Sequence, residues 1–195
     1  MEYLIKTKSL GGMTEEQFFR FCLENDSIHF ERNSLGDIIL MEPTGAKTGW
    51  YNMNIGTELN IWNRKTNLGL VFDSNAGFTL PNRAVRSPDV SFILKERWGK
   101  IKPADQEGFA HICPDFILEL LSKSDCEWPL QEKMKEWMDN GCRLAWMINP
   151  YKKETTIYRR KGETETKSFY EILKGEDVLP GFELNLESVF IENQP

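Results

Sequence analysis

Three acids in this 195-residue chain stand where strands begin or end, which is where a fold can aim carboxylates at a common point. Asp89 follows Pro88 at the head of the apolar run Val90–Leu94, and Asp115 follows Pro114 in the same manner. Glu119 is the unusual one, because it interrupts Phe116-Ile117-Leu118-Glu119-Leu120-Leu121, a run apolar enough for a central strand. An unpaired charge in such a strand is costly and its carboxyl pKa rises, so Glu119 calls for a cation. Two cations would serve: a Lys or Arg from a neighbouring element, or an oxygen-seeking divalent ion such as Mg²⁺ held between carboxylates on adjacent strands.

Other chemistries are excluded by what the chain lacks. Nucleophile-elbow, P-loop, Rossmann and HExxH patterns are absent, and two histidines, His29 and His111, cannot build a multi-histidine metal site. Cys22, Cys113, Cys126 and Cys142 form no CxxC pair, so they read as reduced, mostly buried thiols of a cytoplasmic protein and not as a disulfide framework or zinc ribbon. No uncharged stretch approaches the ~20 residues of a membrane-spanning helix. The formal charge of −6 argues mildly against nucleic acid, yet residues 1–162 hold 22 basic and 22 acidic side chains, and the excess lies in residues 163–195, with two basic and eight acidic. A basic group just before that tail, Lys152, Lys153, Arg159, Arg160 and Lys161, reads either as a phosphate contact or as a solvated hairpin.

The elements that must position the acids follow from periodicity and punctuation. Thr14 and Gln17 form a capping-box pattern ahead of a helix ending near Asp26. Residues 28–32 and 37–41 flank a Gly36-containing loop as a hairpin, and Tyr51, Ile55, Leu59 and Trp62 share one face of a helix over 48–64. Short runs at 70–72, 78–80 and 89–94 read as a meander, 95–108 as a partly helical surface excursion, and 115–121 as a strand with Asp115, Ile117, Glu119 and Leu121 on one face. Pro129 opens a helix carrying Leu130, Met134, Trp137 and Met138 and ending at Gly141; a buried strand at 143–148 and marginal antiparallel strands at 155–159 and 166–170 follow. Composition and length fit one domain, residues 1–195, and the strand-helix-strand order over 115–148 makes the expected sheet mixed.

Pro88-Asp89, Pro114-Asp115-Phe116-Ile117-Leu118-Glu119-Leu120-Leu121-Ser122, Gln131-Glu132-Lys133-Met134, Asn140-Gly141 and Trp146-Met147-Ile148-Asn149-Pro150 together resemble a bacterial family classed as restriction endonucleases, within the PD-(D/E)xK (restriction-endonuclease-like) nuclease superfamily. The likeness runs from about Met13 to Leu186 and takes in Glu42-Pro43-Thr44-Gly45, the Gly77-Phe78 to Leu80-Pro81 segment and Val178-Leu179-Pro180-Gly181-Phe182. It implies an α/β (α+β) fold, a mixed central β-sheet flanked by helices, with Asp89, Glu119 and the carbonyl oxygen of Leu120 holding one or two Mg²⁺ (or Mn²⁺) ions. One departure stands out: the superfamily's lysine normally lies two residues after the second acid, and here that residue is Leu121. The resemblance assigns the basic role to Lys133 on the following helix, at the border of the apolar stripe, with Gln131 on the opposite border. Related nucleases add an acid from an early helix, for which Glu58 is the candidate; Asp115 is either a second ligand or an ordinary strand-start acceptor.

The function so implied is Mg-dependent endodeoxyribonuclease chemistry on DNA phosphodiesters. The rival is a catalytically inactive nuclease-fold binding or interaction module, favoured by the acidic charge and the missing lysine at position 121. A homodimer through the exposed sheet edge at residues 155–170 is a further expectation.

Overall fold

The computed structural model describes residues 2–123 and 125–190. In chain order the elements are β1 (Glu2–Ile5), α1 (Glu15–Glu24), β2 (His29–Arg32), β3 (Ile38–Met41), α2 (Ala46–Thr66), β4 (Gly69–Asp73), β5 (Phe78–Thr79), β6 (Val85–Arg86), β7 (Val90–Leu94), α3 (Lys95–Trp98), α4 (Pro103–Gln106), β8 (Phe116–Leu120), α5 (Glu127–Asp139), β9 (Leu144–Asn149), β10 (Glu154–Arg159), β11 (Thr164–Ser168), β12 (Leu173–Lys174), β13 (Glu183–Leu184) and α6 (Leu186–Phe190).

A six-stranded sheet runs β11-β10-β9-β8-β7-β4, antiparallel except for the β8–β9 pair that α5 connects. Both faces are covered at the central strands β7, β8 and β9, which is why these read as near-continuous apolar runs. One face packs Phe92, Phe116, Leu118, Trp146 and Ile157 against Tyr51, Ile55, Leu59 and Trp62 of α2 and against the C-terminal segment. The other packs Ile93, Ile117, Ala145 and Met147 against Met134 and Trp137 of α5. Period-two alternation puts Glu119 on the face that carries Ile117, under α5.

A second, five-stranded sheet runs β1-β3-β2-β6-β5. Its β2–β3 hairpin turns at Gly36, whose φ of 86° suits a residue without Cβ. The 14–26 helix appears as α1, with the reciprocal Thr14–Gln17 capping box in place. The expected meander through residues 70–94 does not form. β4 pairs directly with β7, while β5 and β6, between them in sequence, join the other sheet through the single Arg32–Val85 pairing of β2 with β6. Turn signals separate strands alike whichever sheet they enter, so sequence could not assign them. The four-residue β1 and two-residue β6, β12 and β13 are too short to show a period.

The basic group before the acidic tail is also divided. Lys152 and Lys153 sit in the turn between β9 and β10, Arg160 and Lys161 at the far end of β10, and a six-residue strand separates the two by ~20 Å. Lys152 pairs with Glu127, and Arg159 with Glu165 and Glu176, while Lys153, Arg160 and Lys161 are exposed. The cysteines are free: Cys113 and Cys142 buried, Cys22 half-buried and Cys126 exposed. Among the described residues no helix is long and apolar enough to cross a membrane.

Candidate active site

The antiparallel register that pairs Val90 with Leu118 places Asp89, just before β7, beside Glu119 near the end of β8. Asp89 Oδ2 accepts the Leu120 N–H at 2.7 Å, and its Oδ1 accepts the Asn52 side-chain N–H from α2, also at 2.7 Å. Glu119 is buried, and its Oε1 accepts the Trp137 indole N–H at 3.1 Å and lies 2.9 Å from Lys133 Nζ. Asp89, Glu119 and Lys133 are therefore gathered at one place. Lys133 reaches it as its stripe-border position implies, with its stem packed along α5 and its side chain only 7% exposed.

A third carboxylate, unmarked in the sequence reading, completes the arrangement. Glu31 of β2 is buried, and its Oε1 stands 2.9 Å from Lys133 Nζ and accepts the Ser87 N–H at 2.9 Å. Its Oε2 binds Arg86 Nη1 at 2.8 Å, and Arg86 Nε in turn binds Glu136 Oε2 at 2.6 Å. With the Ser87 carbonyl at 3.2 Å, Glu119 and Glu31 occupy all three ammonium donors of Lys133. The chain of ion pairs ties the small sheet to α5 and fixes the lysine under the end of β8.

With all of them ionised, four carboxylates (Asp89, Glu119, Glu31 and Glu136) would face two cations (Lys133 and Arg86), a shortfall of two positive charges in a largely buried cluster. The protonation equilibria follow that imbalance. Burial and the neighbouring Asp89 and Glu31 charges outweigh Lys133 and push the Glu119 carboxyl up to about 8. Burial likewise raises Asp89. Glu31 is held below the usual carboxylate range, because Lys133 and Arg86 together outweigh its burial. Burial works against the charged form of Lys133, yet Glu119 and Glu31 hold it above the usual lysine range.

The donor set suits a hard divalent ion. It consists of carboxylate and backbone oxygens, and Glu119 Oε2 carries no hydrogen bond among the described residues. No group of three or more His, Cys, Asp or Glu among the described residues forms a metal cage. Mg²⁺ fits two carboxylates because it retains several waters, whereas Zn²⁺ would need four closed ligands.

The remaining candidates separate. Glu58 is exposed on α2 and no member of the cluster. At roughly 100° per residue the buried positions Thr48, Tyr51, Ile55, Leu59, Trp62 and Asn63 span an arc that excludes Glu58 and includes Asn52. Gln131 is half-buried two residues before Lys133, and the hydrogen bonds to Glu119 come from Lys133 and Trp137 instead. Asp115 serves the strand start: it accepts the Leu94 N–H at 2.9 Å and pairs with Arg97 at 2.9 Å. A cavity of about 420 Å³, lined by Arg97, Lys100, Lys102 and His111 among others, opens at that far end of β8 and not at the acidic cluster.

Residues 15–187 match the family model Uma2, described as "Putative restriction endonuclease". The chain belongs to the Uma2 family. A solved structure described as a putative nuclease belonging to DUF820, from Anabaena variabilis, has the same fold, with a TM-score of 0.70 at 19% identity over 83% of this chain and 89% of that one. No curated protein matches the sequence. Within this Uma2 chain Asn52, Glu31 and Trp137 are the site neighbours that sequence reasoning missed. Asn52 alone left a signal, as a polar residue inside the arc of the buried face of α2.

Proposed function

We propose that this Uma2-family protein is a Mg²⁺- or Mn²⁺-dependent endonuclease acting on DNA phosphodiesters, a PD-(D/E)xK-like enzyme whose lysine has moved from position 121 to Lys133. The observation that carries the reading is the two-charge shortfall around Asp89 and Glu119, with Lys133 locked beside them. Asp89, Glu119 and the Leu120 carbonyl would hold the ion. Bound there, a divalent ion supplies Lewis acidity to the scissile phosphate and lowers the pKa of a coordinated water.

The chain's own residues do the rest. Glu119 divides its oxygens: Oε1 keeps Lys133 and Trp137, and Oε2 would be the one to hold an ion. Glu31, Glu119 and the Ser87 carbonyl hold the ammonium in place beside Asp89, where its positive charge would offset negative charge developing on the phosphate. Asp89 is only half-buried, so a phosphate would approach the cluster from its side. Lys152 and Arg159 are already paired, so few cations there are left to neutralise phosphates and DNA binding is weak.

Plasmid and oligonucleotide cleavage decides this. Wild type cuts with Mg²⁺ or Mn²⁺ and not with EDTA, and Asp89→Asn or Glu119→Gln abolishes cutting. Undiminished cleavage by both variants, or none by wild type over a range of divalent ions and DNA forms, contradicts the reading.

A further inference from the structure

The Asn52 side-chain N–H donates to Asp89 Oδ1 at 2.7 Å. The orientation of Asn52 is thereby fixed, and its carbonyl Oδ1 faces elsewhere. That oxygen is buried and has no hydrogen-bond partner among the described residues. Amide geometry keeps it within roughly 5 Å of the Asp89 carboxylate. A buried acceptor left without a donor is costly, and such a group calls for a function or an unseen partner.

The chemistry of the residue narrows which partner. A carboxylate at position 52 would add another negative charge to a cluster already two positive charges short. An amide instead gives Asp89 a donor and leaves an acceptor beside it. Mg²⁺ retains several of its waters when only one or two carboxylates hold it, and each such water is a strong donor needing an acceptor.

We infer that Asn52 is a positioning residue of this site, its Oδ1 accepting a hydrogen bond from a water on the divalent ion held by Asp89 and Glu119. The inference rests on the proposed reading of those two acids. Through one side chain, α2 would then fix both an ion-binding carboxylate and the hydration shell of the ion.

The test reads Mg²⁺ and Mn²⁺ binding by calorimetry, together with the ion-induced rise in Tm, on the full chain at pH 8. Asn52→Leu, similar in size and without polar atoms, should weaken ion binding about tenfold, as is usual for loss of an outer-shell partner. Asn52→Asp should move the two readouts in opposite directions: a lower Tm without ion, from repulsion with Asp89, and a larger Tm rise with ion than in wild type. A purely structural brace for Asp89 would instead make the ion-induced rise smaller in both variants. Should Asn52→Leu fail to fold, Asn52→Asp and Asn52→Ser carry the comparison. Binding abolished by Asp89→Asn but unmoved by the Asn52 variants, or no gain in Asn52→Asp, overturns the inference and leaves the two-acid site standing. No ion binding by wild type overturns both.

Discussion

Strand β8 carries a buried carboxylate at each end, on the same face, and the two could hardly be treated more differently. Asp115 meets Leu94 N–H and Arg97, with Arg143 3.7 Å away, so its charge is answered by cations and backbone. Glu119 sits beside Asp89 and shares its one ammonium with Glu31. A carboxylate whose partners complete it holds a fold together. One whose neighbours leave charge over is prepared for something that arrives from outside. Residue type and strand position do not separate the two cases; the partners do.

The largest effect is expected at Lys133. Lys133→Met keeps the apolar stem yet removes the cation between two buried acids, so cleavage should slow by ~10² or more while DNA affinity stays close to wild type. Stability at pH 8 should fall by about 3 kcal/mol, since an acid left without its buried partner is strongly penalised. Single-turnover cleavage and thermal melts check the two effects; a variant that still cuts at the wild-type rate takes Lys133 out of the chemistry.

At the opposite end, Asp115→Asn leaves Arg97 and Arg143 facing a neutral amide and should cost about 3 kcal/mol, or roughly 10 °C in Tm. The ion-induced rise in Tm should be unchanged. Glu119→Gln should do the reverse, costing little without ion and abolishing the rise. Equal behaviour of the two variants would erase the distinction between the ends.

The end at Glu119 also makes stability depend on pH. Folded Glu119, at about 8, keeps a proton that the unfolded chain has already lost, so between the ordinary glutamate range and about pH 8 the folded state binds more protons than the unfolded one. Stability without ion should therefore decline as pH rises through this window, by at most ~1.4 kcal/mol per pH unit from this group, and Asp89, also raised, acts in the same direction. Melting from pH 5 to pH 8 should show the decline in wild type and a flatter profile in Glu119→Gln. The smallest expected effect belongs to Lys135, which is exposed and paired with Glu132 on the outer side of α5. Lys135→Met should stay within ~0.5 kcal/mol and at the wild-type cleavage rate.

These contrasts explain what could be read from residues alone. A charge inside an apolar run marked Glu119, and the strong α5 stripe placed Lys133 at its border, because local periodicity survives whatever packs on it. Glu31 lay hidden in a four-residue strand whose burial depends on the meeting of two sheets. Glu58 lies outside the inward arc of α2 and Asn52 within it, because tertiary packing and not local sequence centres that arc. The basic residues adjacent in sequence turned out to lie at opposite ends of β10, a separation only the β9–β10–β11 register reveals.

With its carboxylates ionised, the end of β8 at Glu119 lacks two positive charges that a divalent ion would supply. Calorimetric titration of Mg²⁺ or Mn²⁺ into wild type and into the Asp89→Asn, Glu119→Gln double variant, near pH 7, tests it most directly. The account predicts binding by wild type with release of protons, as Glu119 gives up its proton, and no binding by the double variant; the same isotherm in both would contradict it.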